Sequence, residues 1–230
     1  MSNVTVYIVV EGQTEQTFVR EVLAPWIGIK EIFLIPALIG KPGQKGGDIR
    51  FDRAKEDIGR LLRQRRNTYV STMFDYFRIE PNWPGKEEVK KHFSNGTILT
   101  TEQKAAILEN ASRDEIEKLF PDCNSKHRFI PYIEMHEFEA LLFSDPKSIS
   151  EKTGISLEDI SEILNEYSSP EDINDDPIKA PSKQLLKLKS DYRKVAMGKT
   201  ISESIGVQKI RKQCPHFNKW LCKIEQIVVY

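Results

Sequence analysis

Seven residues near the start, Val4-Thr5-Val6-Tyr7-Ile8-Val9-Val10, are apolar or β-branched with no polar face. A strand that must be covered on both sides reads this way, so the run predicts a central strand of a parallel sheet. It stops at Glu11-Gly12-Gln13-Thr14-Glu15, where Thr14 is placed to cap a helix with Phe18, Val19, Val22 and Leu23 on one face and Pro25 at its end. The order then repeats. Residues 31–39 predict a second strand, residues 40–47 a glycine-rich basic loop, and residues 50–66 a helix with Ile58, Leu61 and Leu62 inward. A third strand, residues 68–74, runs into Asp75, and strands alternating with helices predict an α/β domain with a mainly parallel sheet flanked by helices.

Beyond Asp75 the period changes. Pro81-Asn82-Trp83-Pro84-Gly85 reads as a loop, and helical patterns at residues 87–93 and 101–120 predict a helical insertion at about 85–120. A fourth strand is expected over residues 127–133, with a helix starting near Glu134. Residues 1–143 are taken as the α/β domain and 144–230 as a helical C-terminal region packed on it, with a break at Pro215 and an exposed connector over residues 168–181. Leu185, Leu186 and Leu188 lie on a lysine-rich amphipathic stretch that offers either a docking face or ordinary packing.

Composition narrows the class. The chain has 230 residues, with 39% hydrophobic and 30% charged, enough to build a core without a metal or disulfide staple. Lys+Arg and Asp+Glu both number 34, so no global field draws it to nucleic acid and any phosphate contact must come from a local patch. Cys123, Cys214 and Cys222 match no zinc or redox spacing and read as buried fillers in a reducing cytoplasm. The first apolar run lacks a basic leader, and no stretch is long enough to span a membrane.

Ligands of open parallel sheets bind beyond the carboxyl ends of the strands. Glu11, Asp75 and Glu134 each follow a predicted strand, and Glu15 lies one helical turn from Glu11. Each acid alone reads as a cap or a solvated loop residue. Together they read equally well as a site for a hard cation, because gathered carboxylates repel unless neutralised, and all-oxygen donors suit Mg²⁺ or Mn²⁺. His136 reads as a hydrogen-bonded structural group or as a ligand or proton shuttle. Lys41, Lys45 and Arg50, in and after the glycine-rich loop, are candidate phosphate contacts, as is Lys183; a solvated surface explains the same residues. The loop lacks the Gly-Lys-Ser/Thr ending of a P-loop, which argues against nucleotide hydrolysis by this chain.

Glu11-Gly12-Gln13-Thr14-Glu15 after an apolar strand, with a later strand ending at Asp75, resembles the Toprim fold of topoisomerases, primases and overcoming-lysogenization-defect nucleases. Phe74-Asp75-Tyr76-Phe77 with Trp83-Pro84-Gly85, residues 136–143, Ala180-Pro181-Ser182-Lys183 and Cys214-Pro215-His216-Phe217 further resemble a bacterial Toprim-like family, domain-of-unknown-function family 4276, often encoded beside an AAA-type ATPase. The resemblance implies catalytic roles for Glu11, Glu15 and Asp75, with Mg²⁺ or Mn²⁺ held by Glu11 and Asp75. Phe77 stands where most Toprim enzymes carry a second aspartate, so Glu134, Glu137 or Glu139 would have to supply the missing ligand. The implied function is a metal-dependent nuclease acting on DNA or RNA in a bacterial defence system with an ATPase partner. The alternative is a catalytically silent module that binds nucleic acid or that ATPase.

Overall fold

The structure is a computed structural model that describes residues 4–40, 49–173 and 179–227. Its sheet has the order β2-β1-β3-β4 with β5 also on β3, and every pairing is parallel. The strands are β1 (Val4–Val10), β2 (Ile32–Leu38), β3 (Thr68–Asp75), β4 (Phe129–Ile130) and β5 (Ile133–Glu134). The doubly apolar runs at β1 and β3 occupy the centre, where both faces are covered. Strand β2 carries Pro36, which has no N–H to give a ladder, and lies at the edge, paired with β1 alone.

Two cores form, one on each face of the sheet. The first joins Val6, Ile8 and Val10 to α1 (Gln13–Phe18), α2 (Ala24–Ile27) and the later helices. Those are α7 (Glu139–Leu142), α8 (Pro146–Thr153), α9 (Leu157–Asn165), α10 (Pro181–Leu188), α11 (Lys194–Ile205), α12 (Val207–Gln213) and α13 (Pro215–Glu225). The second core joins Val9, Val70 and Phe74 to α3 (Phe51–Leu62), α4 (Lys86–Ser94) and α5 (Thr101–Leu119), the last two forming the insertion. Alternate residues of one strand thus serve different cores, as the two-residue period requires.

Aromatic residues with polar handles tie the layers together. Trp220 stacks on Tyr132 at 4.5 Å while its indole N–H donates to Ser71 Oγ at 2.8 Å. The Trp83 indole donates to Ser112 Oγ at 2.9 Å and so fixes the insertion against the sheet. Each buries a large apolar surface and leaves no indole donor unpaired.

Several boundaries differ from expectation. Gly12, not Thr14, caps α1, and the Glu15 carboxylate accepts the Gly12 N–H at 2.9 Å. The helical path does not end at Pro25. A wide turn at Val19–Leu23, in which the Ala24 N–H reaches the Val19 carbonyl, precedes the proline, so the chain carries Pro25, which has no N–H to give, in a locally widened stretch of continuous helix. The fourth strand is not continuous. Residues 125–128 form a helical turn, α6 (Ser125–Arg128), and β4 and β5 are separate pieces around Pro131, which cannot donate. Thr72 Oγ1 takes up the Tyr132 backbone N–H and donates to its carbonyl, both at 2.9 Å, and Ser71 Oγ serves the Ile130 carbonyl, so hydroxyls replace the lost ladder.

The chain near residue 134 is also a correction. Glu134 is strand, residues 135–138 bend through a cis Met135–His136 peptide, and helix begins at Glu139, so Glu137 is not a helical turn from Glu134. The expected exposed connector is buried at Pro170, Glu171 and Ile173. Glu171 accepts the His216 and Phe217 N–H groups at 2.9 and 2.8 Å, capping α13. Leu185 is fully buried and Leu186 packs on the core, so the leucine stretch mostly serves packing. All three cysteines are free; Cys214 is buried, but Cys123 and Cys222 are only half-buried. No helix among the described residues is long and apolar enough to cross a membrane.

Candidate functional site

Parallel register places three acids at one edge. Val10 pairs with Met73, so Glu11 leaves β1 level with the last residues of β3, and Asp75 at the end of β3 pairs with Glu134 of β5. The bend after β5 returns Glu137 and Glu139 to the same place. The Phe138 N–H donates to Asp75 Oδ1 at 3.0 Å, locking the bend onto β3. Glu137 in turn accepts the Ser182 N–H at 3.1 Å, at the start of α10.

Electrostatics show which carboxyls share a space. Asp75 is buried, and that burial first, then Glu15, Glu11, Glu139 and Glu137, hold its carboxyl well above the usual carboxylate range. Burial and then Glu15 push Glu11 up to about 7, against the opposing pull of Arg78 and Lys194. Glu139 also rises to about 7, through burial and the acids Glu137 and Glu15, with Lys194 opposing. For Glu15 burial outweighs its backbone hydrogen bonds and the carboxyl again shifts upward.

Two cations offset this charge. Arg78 Nε lies 3.5 Å from Glu11, and Lys194 Nζ lies 3.5 Å from Glu139. Burial pulls the Lys194 ammonium down, but Glu139, Glu137 and Asp75 together keep it above its ordinary range. Five carboxyl groups face two cations in a partly closed site, and the raised affinities for protons show that the acids are not fully neutralised by Arg78 and Lys194.

Glu134 does not join this group as expected. Its backbone shares the edge, but its carboxyl accepts the Tyr132 hydroxyl at 2.7 Å inside the core. Burial and then Glu171 hold it well above the carboxylate range. His136 is buried, with its ring stacked on Phe77 at 5.2 Å and edge-on to Tyr76 at 5.6 Å. Phe77 therefore supplies a packing surface for the histidine where a ligand was sought.

The phosphate candidates separate. Lys41 and Lys45 lie outside the described residues. Arg50 is exposed at the N-cap of α3, and Lys183 is exposed in the first turn of α10. Sequence reasoning missed Lys194 and Arg78. Arg78, three residues past Asp75, was visible as a basic residue on a strand-following loop; Lys194 sits in no motif and is brought in by α11 alone.

The donor set suits a hard divalent cation in its chemistry. Glu11 Oε2 is a buried oxygen with no hydrogen-bond partner among the described residues, and Glu139 Oε1 has the Lys194 ammonium at 3.5 Å, so an oxygen donor is left for a cation beside Glu11. No three His, Cys, Asp or Glu side chains among the described residues are already drawn around one point closely enough to hold a metal ion, so binding would require the carboxylates to turn inward.

A family model described as a domain of unknown function (DUF4276) matches residues 10–225. The chain belongs to the DUF4276 family. The match begins one residue before Glu11 and includes every acid of the edge. No curated protein matches this DUF4276 chain. Among solved structures, the C-terminal region of the Burkholderia pseudomallei OLD protein is similar at 13% identity and a TM-score of 0.48, covering 96% of each chain.

Proposed function

We propose that this DUF4276 protein is a divalent-metal-dependent nuclease with a Toprim-like site, serving as the effector of a bacterial defence system with an AAA-type ATPase partner. The observation that carries the reading is the convergence of Glu11, Glu15, Asp75, Glu137 and Glu139 at the carboxyl edge of a parallel sheet, where burial, and for Glu11, Asp75 and Glu139 the neighbouring acids as well, raises the affinity of Glu11, Glu15, Asp75 and Glu139 for protons. Structural ion pairs match their charges; this group does not. Glu11 and Asp75 would hold Mg²⁺ or Mn²⁺, with Glu137 or Glu139 in place of the absent second aspartate.

Such an ion supplies Lewis-acid stabilisation of phosphate charge and acidifies a coordinated water. The chain's own residues do the rest. Without the ion, burial and Glu15 hold the Glu11 carboxyl up at about 7, so Glu11 would release its proton on binding a cation there and stay as an ionised ligand. Glu15 fixes the turn through the Gly12 N–H, and Lys194 keeps Glu139 oriented while limiting the excess charge.

Phe77 supports a second reading, a silent module that binds nucleic acid or the ATPase, because it occupies a ligand position with a ring committed to His136. Incubation of DNA and RNA, single- and double-stranded, with Mn²⁺ or EDTA, alone and with the activated ATPase, separates the two. Cleavage that requires metal and is abolished by Asp75→Asn is expected, weak for the isolated chain and stronger with the partner. Cleavage unaffected by the substitution rejects the site, and none even with the activated partner favours the silent module.

A further inference from the structure

A cavity of ≈ 590 Å³ opens between α4, α5 and the residue that follows Asp75. Tyr76 forms its inner wall, and the Tyr76 N–H is bonded to the Glu134 carbonyl at 2.9 Å, so the cavity begins where the acidic edge ends. Phe93, Ile98 and Leu99 line the remainder. Phe93 is 81% and Ile98 91% exposed, an unusual position for two large apolar side chains beside a concave surface.

The charges on this cavity are all of one sign. Lys90 and Lys104 line it, and no acid among the described residues does. One helical turn before Lys90, Lys86 lays its ammonium 3.6 Å above the Tyr76 ring and donates to the Tyr76 carbonyl at 3.2 Å. No carboxylate among the described residues pairs with Lys86. Burial, followed by repulsion from Lys90, pulls its affinity for protons down to about 8, which an added anion would reverse.

We propose that this cavity seats an unpaired base of a single-stranded nucleic acid, stacked against Phe93, while Lys86 and Lys90 contact the adjoining backbone phosphate. This rests on the nuclease reading above and adds its substrate class. A flat apolar ring joined to an anion matches a cavity with apolar walls and a lysine rim. An apolar protein segment would bury Lys86 and Lys90 without a counter-charge. In a duplex the bases are stacked inside and cannot reach Phe93.

The test is fluorescence anisotropy with a labelled single-stranded oligonucleotide in EDTA at low salt, so that binding is read without cation at the carboxylates. Wild-type protein should bind in a salt-dependent way and prefer the single strand to the duplex of the same sequence. Phe93→Ala, at an exposed position, should weaken binding roughly tenfold, and Phe93→Tyr should restore it. Lys86→Met should weaken binding and reduce the slope of log affinity against log salt by about 1. Wild-type affinity in Phe93→Ala and Lys86→Met, equal affinity for duplex, or no binding by the wild type would overturn the proposal. Loss of Mn²⁺ binding in Asp75→Asn alongside such a result leaves the metal reading standing; absent Mn²⁺ binding with intact oligonucleotide binding fails the metal reading alone.

Discussion

Replacing Glu11 with glutamine should stabilise the metal-free protein, an unusual outcome for a nearly buried site residue. Burial, Glu15 and Glu137 outweigh Arg78 and Lys194 and raise the Glu11 carboxyl from 4.5 to about 7 in the folded state. At about 1.4 kcal/mol per pH unit this is a destabilisation of about 3 kcal/mol when the group is ionised. The sign follows from linkage: the folded state holds the proton more tightly, so stability is full below pH 4.5 and declines as pH rises to 7. Glutamine mimics the protonated acid and carries no such decline. Urea unfolding of the wild type and Glu11→Gln in EDTA should therefore coincide near pH 4 and separate at pH 8, the variant being more stable by about 2–3 kcal/mol. Saturating Mn²⁺ should close most of this gap, because an ion bound only by the folded wild type adds about 2.7 kcal/mol at about one hundred times its dissociation constant. A variant that is less stable than the wild type in EDTA at pH 8, or that gains as much from Mn²⁺, would refute the electrostatic reasoning.

Other residues give sharper structural tests. Glu171→Ala removes the acceptor of two buried N–H groups at the start of α13 and should cost about 3 kcal/mol, seen as a fall in the urea midpoint at unchanged slope. Arg128 donates to the carbonyls of Thr68, Cys123, Leu62 and Arg65, so Arg128→Met should cost about 3–5 kcal/mol, and Arg128→Lys, which cannot span the same fork, should recover less than half of it by thermal unfolding. Lys194→Met should lower thermal stability at pH 8 in EDTA, since it removes the cation nearest Glu139, and added Mn²⁺ should restore most of the loss.

Continuous apolar runs made β1, β2 and β3 legible and period-3.6 patterns the insertion, because each element is long enough for its signal to stand out. The region around Pro131 was not, because its pairing depends on the hydroxyls of Ser71 and Thr72, nearly sixty residues earlier, taking the place of a backbone ladder. Strand ends were sufficient to gather Glu11, Glu15 and Asp75. They misplaced Glu134, whose alternation along β5 turns its carboxyl to Tyr132 and into the core. Lys194 and Glu171 were illegible for one shared reason: both act through helices that return to the sheet from late in the chain, and no local pattern records where such a helix docks. Glu171 even carried the opposite signal, since a proline- and acid-rich stretch reads as solvated until α13 is seen to need its cap.

The central claim is that the acidic edge is a cation site built on Glu11 and Asp75. Calorimetric titration of Mn²⁺ into the wild type, Glu11→Gln and Asp75→Asn at pH 8, with folding of each checked by circular dichroism, tests it most directly. Saturable binding by the wild type and none by either folded variant is the predicted result; equal affinity in all three, or no binding by the wild type, would contradict it.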